Sequence, residues 1–234
     1  MDAVSNWKGV DRIEVYIADH RKLGLGVRLE ELLESLPESE RKRILRYKFE
    51  ADRIRCAAGA VMIRAEASRA FPEEKPEIAA AEHGKPYLKG HEDYAFNLSH
   101  SGDLIVLATD DIPVGVDVEE IKAKDWRIFH RYLTLEEMTM IESSSDQEEA
   151  FFKVWTIREA FAKEEGLGLA ILDREFTVDY DSCSISYEGR SLGFSSAGYT
   201  SQEGGRYMIS VCSSGNLEEI HCHDLSPDQW KQLL

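Results

Sequence analysis

The sequence lacks any continuous apolar run of about 18 residues, the length that a membrane-spanning helix needs. Its first segment, MDAVSNWKGVDRIEV, lacks the basic stretch followed by an apolar one that is typical of a secretory signal. We therefore expect a cytoplasmic protein. Basic residues are also few: 28 lysines and arginines stand against 44 aspartates and glutamates, giving a formal net charge of -16. Because phosphate backbones select basic surfaces, this balance excludes a general nucleic-acid binder.

No C-x-x-C pair occurs among the four cysteines, Cys56, Cys183, Cys212 and Cys222. We interpret them as reduced thiols, since structural disulfides are typical of oxidising compartments. Apolar residues, by contrast, are plentiful. They make up 43 % of the 234 residues, which is enough for a sizeable core in one large domain or two small ones.

The hydrophobic pattern predicts an α+β fold. Strands are predicted at 12–18, 94–100, 104–110, 114–121, 175–180, 184–187, 192–199 and 206–212, and helices at 27–36, 37–70, 135–142 and 146–165. Capping boxes are predicted for Thr134 with Glu137 and for Ser145 with Glu148, and Gly166 is expected to end the last helix. This order indicates two similar halves, residues 1–111 and 112–234.

The strand GVDVEEI carries two carboxylates, Asp117 and Glu119, which are separated by one valine. Alternate side chains share a face of a strand, so these two should lie opposite Val114, Val116 and Val118. Carboxylates about 7 Å apart along a strand can converge on one hard cation, and magnesium prefers such oxygen ligands. The alternative is a strand with a solvated acidic face.

The helix FFKVWTIREAFAKEE places Trp155, Glu159 and Lys163 on one stripe, at i, i+4 and i+8. A neighbouring stripe is apolar, so the helix should be largely buried. Charged residues are seldom buried without a partner, so those of this helix are candidates for a functional role. The alternative is an ordinary surface pair between Glu159 and Lys163.

Two further segments suit an anion. His100 is expected at the tip of a hairpin, in the turn SHSGD at 99–103, where small residues let backbone N–H groups approach a phosphate. The alternative there is a plain polar turn. A cluster at 41–55 holds seven of the 28 basic residues, and it would be either a polyanion site or a solvated helix face: Arg41, Lys42, Arg43, Arg46, Lys48, Arg53 and Arg55. With the carboxylates, these segments indicate magnesium, a polyphosphate ligand and phosphoryl-group chemistry.

Four segments together resemble the phosphopantetheinyl transferases of the larger, surfactin-synthetase-activating type. GVDVEEI is similar to that family's G-[VI]-D-[VIL]-E strand, and VWTIREAFAKEEGLGL to its W-x-x-K-E-A-x-x-K helix with a following G-x-G-L. FNLSHSGD is similar to its F-N-[IL]-S-H-S turn, and GKPYL to its G-K-P segment. The resemblance covers about residues 12–212, and the ordered set of motifs is what makes it specific. The chain departs from the pattern at Arg158, where the family has lysine.

The resemblance implies two halves related by a pseudo-two-fold, each a small sheet packed with a long helix, with coenzyme A bound between them. It implies magnesium held by Asp117, Glu119 and Glu159, with Glu159, Lys163 and Asp117 as the catalytic residues. It assigns to coenzyme A the residues Arg41, Lys42, Arg53, Lys85, Pro86, Ser99, His100, Arg158 and Lys163. We expect Arg158 to brace an acidic residue or the coenzyme's phosphates from the side.

The sequence therefore predicts an enzyme that transfers the 4'-phosphopantetheine arm of coenzyme A to a serine of an acyl- or peptidyl-carrier protein, releasing 3',5'-ADP. The carrier would be a transient partner of a monomer. Two alternatives remain open: another magnesium-dependent enzyme acting on a nucleotide-like substrate, and a coenzyme A-binding homologue without transferase activity.

Overall fold

A computed structural model describes residues 13–21, 28–74, 77–81, 84–173 and 175–233. The first residues of the strand predicted at 12–18 and of the helix predicted at 27–36 lie outside these ranges. Helix and strand are mixed, as the α+β prediction requires. Within the described ranges, every helix is too short or too polar to cross a membrane.

The first half of the chain forms a sheet covered by helices. β1 (Ile13–Asp19), β5 (Leu104–Asp110) and β4 (Ala95–Ser101) lie side by side in that order, and β5 is antiparallel to both neighbours. Between β1 and β4 the chain forms α1 (Leu29–Glu34), α2 (Glu38–Ile44), α3 (Glu50–Ala70) and a small hairpin, β2 (Ile78–Ala80) with β3 (Pro86–Leu88).

The second half forms an antiparallel sheet in the order β6-β10-β9-β8-β7. Its strands are β6 (Val114–Glu120), β7 (Thr177–Asp179), β8 (Ser184–Tyr187), β9 (Arg190–Thr200) and β10 (Arg206–Ser213). After β6 come a 3₁₀ helix (Trp126–Tyr132), α4 (Leu135–Ser143), α5 (Gln147–Glu165) and another 3₁₀ helix (Gly168–Asp173).

The C-terminal segment returns to the first sheet. After a 3₁₀ turn (Leu217–Glu219), β11 (Ile220–Asp224) pairs in parallel with β1, and α6 (Pro227–Lys231) buries Trp230 in the core of the first half. The sequence pattern did not predict these two elements. The division at 111/112 stays a prediction, with the qualification that residues 220–231 pack on the first half.

The two sheets pack face to face between two long helices. One core is shared by both sheets, because alternating apolar residues of β1 and β5 meet those of β6 and β10. The opposite face of the first sheet packs on α3, and that of the second sheet packs on α5. The molecule thus has four layers, and β6 lies between the shared core and α5.

Local signals explain several helix ends. The Thr134–Glu137 capping box is confirmed, and Gly166, with φ 73°, ends α5 as predicted. The Ser145–Glu148 box is wrong, because Asp146 is the N-cap and its carboxylate accepts from the Glu149 amide at 2.9 Å. A continuous helix over 37–70 is also wrong, since the chain turns at 45–49.

Arg158 joins α5 to α4 through a buried ion pair. Its Nε and Nη2 donate to the two carboxylate oxygens of Glu137 at 3.0 and 2.7 Å, and the Tyr180 hydroxyl donates to the same carboxylate at 2.6 Å. The guanidinium also lies 4.7 Å from the centre of the Phe176 ring. A planar guanidinium can make this two-pronged contact and an ammonium cannot. Of the two roles expected for Arg158, bracing an acidic residue is the one observed, and its contact with coenzyme A stays a prediction.

We predict that Arg158→Ala lowers the free energy of unfolding by about 3–5 kcal/mol, because Glu137 would remain buried without its cation. Urea unfolding followed by tryptophan fluorescence measures this loss. Arg206→Ala is the matched control, since the exposed Arg206 also contacts two carboxylates, Asp146 and Glu149, and it should leave the stability almost unchanged. Equal stabilities for the two variants would contradict the buried pair.

Candidate active site

Three small polar residues of β4 join its edge to the edge of β6. Asn97 Oδ1 accepts from the Val116 amide at 2.9 Å, Ser99 Oγ from the Val118 amide at 3.3 Å, and Ser101 Oγ from the Glu120 amide at 3.1 Å. We call this set of contacts the β4–β6 ladder. It gives partners to strand-edge amides that would otherwise need water, and it fixes the register of one sheet against the other.

The same ladder orients the carboxylates of β6. The Ser99 hydroxyl donates to Asp117 Oδ1 and the Ser101 hydroxyl donates to Glu119 Oε2, each at 2.8 Å. The three valines of β6 lie in the shared core, on the face opposite these carboxylates, as alternation predicted. A solvated acidic face is wrong for Asp117, which is only 5 % exposed.

Helix α5 brings Glu159 and Lys163 to the same place. Lys163 Nζ donates to Asp117 Oδ1 at 2.7 Å and to Ser99 Oγ at 2.8 Å. The lysine therefore pairs across to β6, so the alternative of a simple surface pair between Glu159 and Lys163 is wrong. Four predicted site residues, Ser99, Asp117, Glu159 and Lys163, lie together at this point.

Gly115 allows α5 to lie directly on β6. A Cβ atom at this position would come within 2.0 Å of the Ala160 carbonyl oxygen and 2.5 Å of the Glu164 amide nitrogen. Every other residue type would push the helix away. The small residue thus allows the close approach of α5, which carries Glu159, to β6, which carries Asp117.

Like charges are crowded at this site. The pKa of Glu159 is raised to about 7, first by burial and then by the negative charge of Asp117, while Lys163 acts in the opposite direction. The pKa of Glu119 is raised as well, mainly by burial. A group with a pKa near neutrality can accept a proton at physiological pH, and crowded carboxylates favour a nearby cation.

A cavity of about 390 Å³ lies between α2, α3, the β2–β3 hairpin and β4, and Asn97 of the β4–β6 ladder is among its lining residues, whereas the carboxylates of the site are not. Two predicted ligand residues, Pro86 and His100, line it, as do Arg43 and Cys56. His100 does not lie in the turn that was predicted at 99–103. It lies within β4, which continues to Ser101, so the hairpin turn is shorter.

One residue of the basic cluster that the resemblance did not assign to coenzyme A lines the cavity. Arg41, Lys42 and Arg53 are absent from the lining of the cavity; Lys42 pairs with Glu38 at 2.7 Å, and Arg53 donates to the Tyr47 carbonyl at 2.8 Å. Arg43 lines the cavity instead.

Arg55 belongs to the predicted basic cluster, although the resemblance did not assign it to coenzyme A. It donates to the Gly102 carbonyl at 2.9 Å, at the turn that follows His100. Burial lowers the pKa of His100, and the positive charge of Arg55 lowers it further. The cluster of basic residues in the sequence indicated this region. The directions of its side chains could not be predicted, because they depend on the break in the helix between α2 and α3.

Comparison with known proteins identifies the family. The model "4'-phosphopantetheinyl transferase, N-terminal" matches residues 27–112, and that of the "4'-phosphopantetheinyl transferase superfamily" matches residues 113–222. The 4'-phosphopantetheinyl transferase ffp of Bacillus subtilis is 30 % identical over 151 residues, which are 63 % of this chain and 67 % of that protein. The chain belongs to the 4'-phosphopantetheinyl transferase superfamily.

Other relatives in this superfamily agree. The 4'-phosphopantetheinyl transferase psf-1 of Bacillus pumilus is 35 % identical over 154 residues, covering 64 % of this chain and 66 % of that protein. A 4'-phosphopantetheinyl transferase of Bacillus subtilis is 29 % identical over 211 residues, which are 87 % of this chain and 92 % of that protein. The first of these alignments spans slightly less than two thirds of its relative, whereas the second spans nearly the whole protein.

The phosphopantetheinyl transferase resemblance implies magnesium, and the site fits a cation that is shared with a substrate. Asp117 Oδ2 is buried without a hydrogen-bond partner, and Glu159 and Glu119 supply the hard oxygen donors that magnesium takes. Among the described residues, no three His, Cys, Asp or Glu side chains form a ready-made metal cage. Such a donor set suits magnesium, which is commonly held by one or two carboxylates together with substrate phosphates.

Lys85, the remaining predicted ligand of coenzyme A, is directed elsewhere. Its ammonium donates to the backbone carbonyls of Glu164 and Val114 at 2.8 and 3.4 Å. The neighbouring residues Gly84 and Pro86 line the cavity, and Lys85 is absent from that lining.

We predict that Gly115→Ala lowers the free energy of unfolding by about 1–3 kcal/mol, the usual cost of overpacking, because the added methyl group meets α5 backbone atoms. Chemical denaturation measures the change. Gly198→Ala in β9 is the control, since a Cβ there has no neighbour within 4 Å, and it should be neutral or slightly stabilising. A neutral Gly115→Ala would show that α5 does not lie on β6 as described.

Proposed function

We propose that this protein transfers the 4'-phosphopantetheine arm of coenzyme A to a serine hydroxyl of an acyl- or peptidyl-carrier protein, releasing 3',5'-ADP. One observation carries the proposal: Asp117, Glu159 and Lys163 are held together next to β4, and His100 of the same strand lines a cavity together with Arg43. Membership of the superfamily supports the same activity, since its named relatives are 4'-phosphopantetheinyl transferases.

Coenzyme A would occupy the cavity with its phosphates towards Lys163. A volume of about 390 Å³ is within the usual range for a small-molecule site. His100 and Arg43 line this cavity and Arg55 lies near His100, so these residues can meet the 3'-phosphate. Pro86 also lines the cavity, and Ser99, which contacts Lys163, would lie next to the pyrophosphate. Arg41, Lys42 and Arg53 stay predictions for the adenosine end.

The reaction joins the serine oxygen to the phosphorus that bears the pantetheine arm and breaks the bond from that phosphorus to the bridging oxygen. Glu159 is the proposed base for the serine proton, since its carboxylate lies at the same site as Asp117 and Lys163. Lys163 places a positive charge where the leaving phosphate gathers negative charge. Magnesium, held by Asp117, Glu119 and Glu159, would neutralise the pyrophosphate.

We also propose that the two halves of the chain are related by a pseudo-two-fold axis. Each half consists of a sheet with one long helix on its outer face, α3 in the first half and α5 in the second. A monomeric state and a cytoplasmic location stay predictions from the sequence.

A basic and apolar surface beside the site suits a carrier protein. Residues 122–135 carry four cations and one acid in a chain whose net charge is -16, and Ile128 and Leu135 are 65 % and 77 % exposed. Three of the cations lie over aromatic rings at 4.4 to 4.7 Å, which holds them at the surface: Lys124, Arg127 and Arg131. Carrier proteins are typically acidic, so this surface, which follows β6 directly, is complementary to them.

We predict that an apo carrier protein incubated with the enzyme, coenzyme A and magnesium gains the mass of one phosphopantetheine arm, as measured by mass spectrometry. Excess chelator should abolish the gain, and Asp117→Asn, which keeps the shape and removes the charge, should slow it at least about 100-fold. Coenzyme A binding without any mass gain would favour a homologue without transferase activity. Turnover of a nucleotide-like substrate without modification of the carrier would favour the other alternative.

We also predict that Arg127→Glu raises the KM for the carrier at least about tenfold, because it reverses a charge on the complementary surface. The KM for coenzyme A should not change. Lys231→Glu is the matched control, because this exposed lysine lies on α6, which packs on the first half. Similar carrier KM values for both variants would place the carrier on a different surface.

A further inference from the structure

Lys85 joins the first half of the chain to the end of helix α5. It immediately precedes β3, and its ammonium contacts the carbonyls of Glu164 and Val114. Glu164 lies in the last turn of α5, and Val114 is the first residue of β6. One side chain of the β2–β3 hairpin therefore touches both elements that carry the site carboxylates.

The contact gives a hydrogen-bond donor to a backbone carbonyl at the C-terminal end of α5. The last four carbonyls of an α-helix have no partner within it, and a cation near these carbonyls also interacts favourably with the helix dipole. The stem of Lys85 runs along the helix end, since a Cβ added to Gly166 would lie 3.3 Å from its Cδ. Lys85 thus caps α5 from a different half of the protein.

The surroundings hold the ammonium in place. Burial lowers the pKa of Lys85, while the negative charges of Glu164 and Glu165 act in the opposite direction. Glu164 is itself buried, and its Oε2 has no hydrogen-bond partner. If the ammonium moved to a ligand in the cavity, the helix end would lose its cap. The buried Glu164 would also lose a neighbouring cation, and leaving polar groups without partners is costly in a low-dielectric environment.

We propose that Lys85 is a positioning residue that fixes α5 against β6, and that it is not a direct ligand of coenzyme A. By holding the Glu164 carbonyl near the Val114 carbonyl, it sets where Glu159 lies relative to Asp117. The effect on catalysis rests on the proposed transferase function, whereas the effect on the helix end does not.

The test compares Lys85→Met with Lys89→Met. Lys89 lies just after the same hairpin, is exposed and pairs with Glu77, so its loss controls for removing a lysine from this region. For Lys85→Met we expect kcat to fall at least about tenfold while the Kd for coenzyme A, measured by calorimetry, stays within about threefold. Lys89→Met should change neither. A Kd raised tenfold or more with kcat retained at saturating coenzyme A would overturn the proposal and make Lys85 a ligand.

Hydrogen exchange gives a readout that does not depend on activity. Amides in the last turn of α5 should exchange faster in Lys85→Met than in Lys89→Met, and unchanged protection would refute the cap. Lys85→Arg keeps a cation at the helix end, so it should restore much of the protection and of kcat, and it tests the proposal if Lys85→Met does not fold. If the wild-type protein transfers nothing to a carrier, the proposed function fails, but exchange and coenzyme A binding still decide the role of Lys85.

Discussion

The β4–β6 ladder is the interaction on which the rest of the site depends. Alternate polar residues of one edge strand bond the backbone amides of another, so two separate sheets become locked at a single register. Ser99 and Ser101 then have a second task, because each also donates to a carboxylate of β6. A sequence of small polar residues between apolar ones thus both closes the fold and orients Asp117 and Glu119.

Once the edges are joined, packing brings the opposite charge to the carboxylates. The valines of β6 enter the core shared by the sheets, so its other face turns towards α5. Gly115 removes the side chain that would separate strand and helix, and Lys163 then reaches Asp117. The negative charges of this acidic cluster repel one another and are only partly neutralised by Lys163. Basic residues, Arg43 and His100, line the neighbouring cavity. An arrangement of this kind suits a ligand that supplies both phosphates and a divalent cation.

Patterns of short range could be predicted from the sequence, and contacts of long range could not. Strand alternation placed Asp117 and Glu119 on one face, and the Thr134 box and Gly166 marked helix ends, because each depends on a few neighbouring residues. The return of β11 to β1 depends on pairing between segments some 200 residues apart, which no local pattern encodes. Two long side chains were placed by tertiary surroundings: Lys85 on a helix end and Arg158 on Glu137. The family motifs identify such residues without giving the direction in which each one points.

We propose that Asp117, with the carboxylates of Glu119 and Glu159, holds a divalent cation together with coenzyme A. Calorimetric titration of Mn²⁺ into the protein, with and without saturating coenzyme A, measures this directly. We expect one Mn²⁺ site whose affinity rises when coenzyme A is present, and an affinity at least about tenfold weaker in Asp117→Asn. Binding of Mn²⁺ that is equally tight in that variant, or indifferent to coenzyme A, would contradict this proposal.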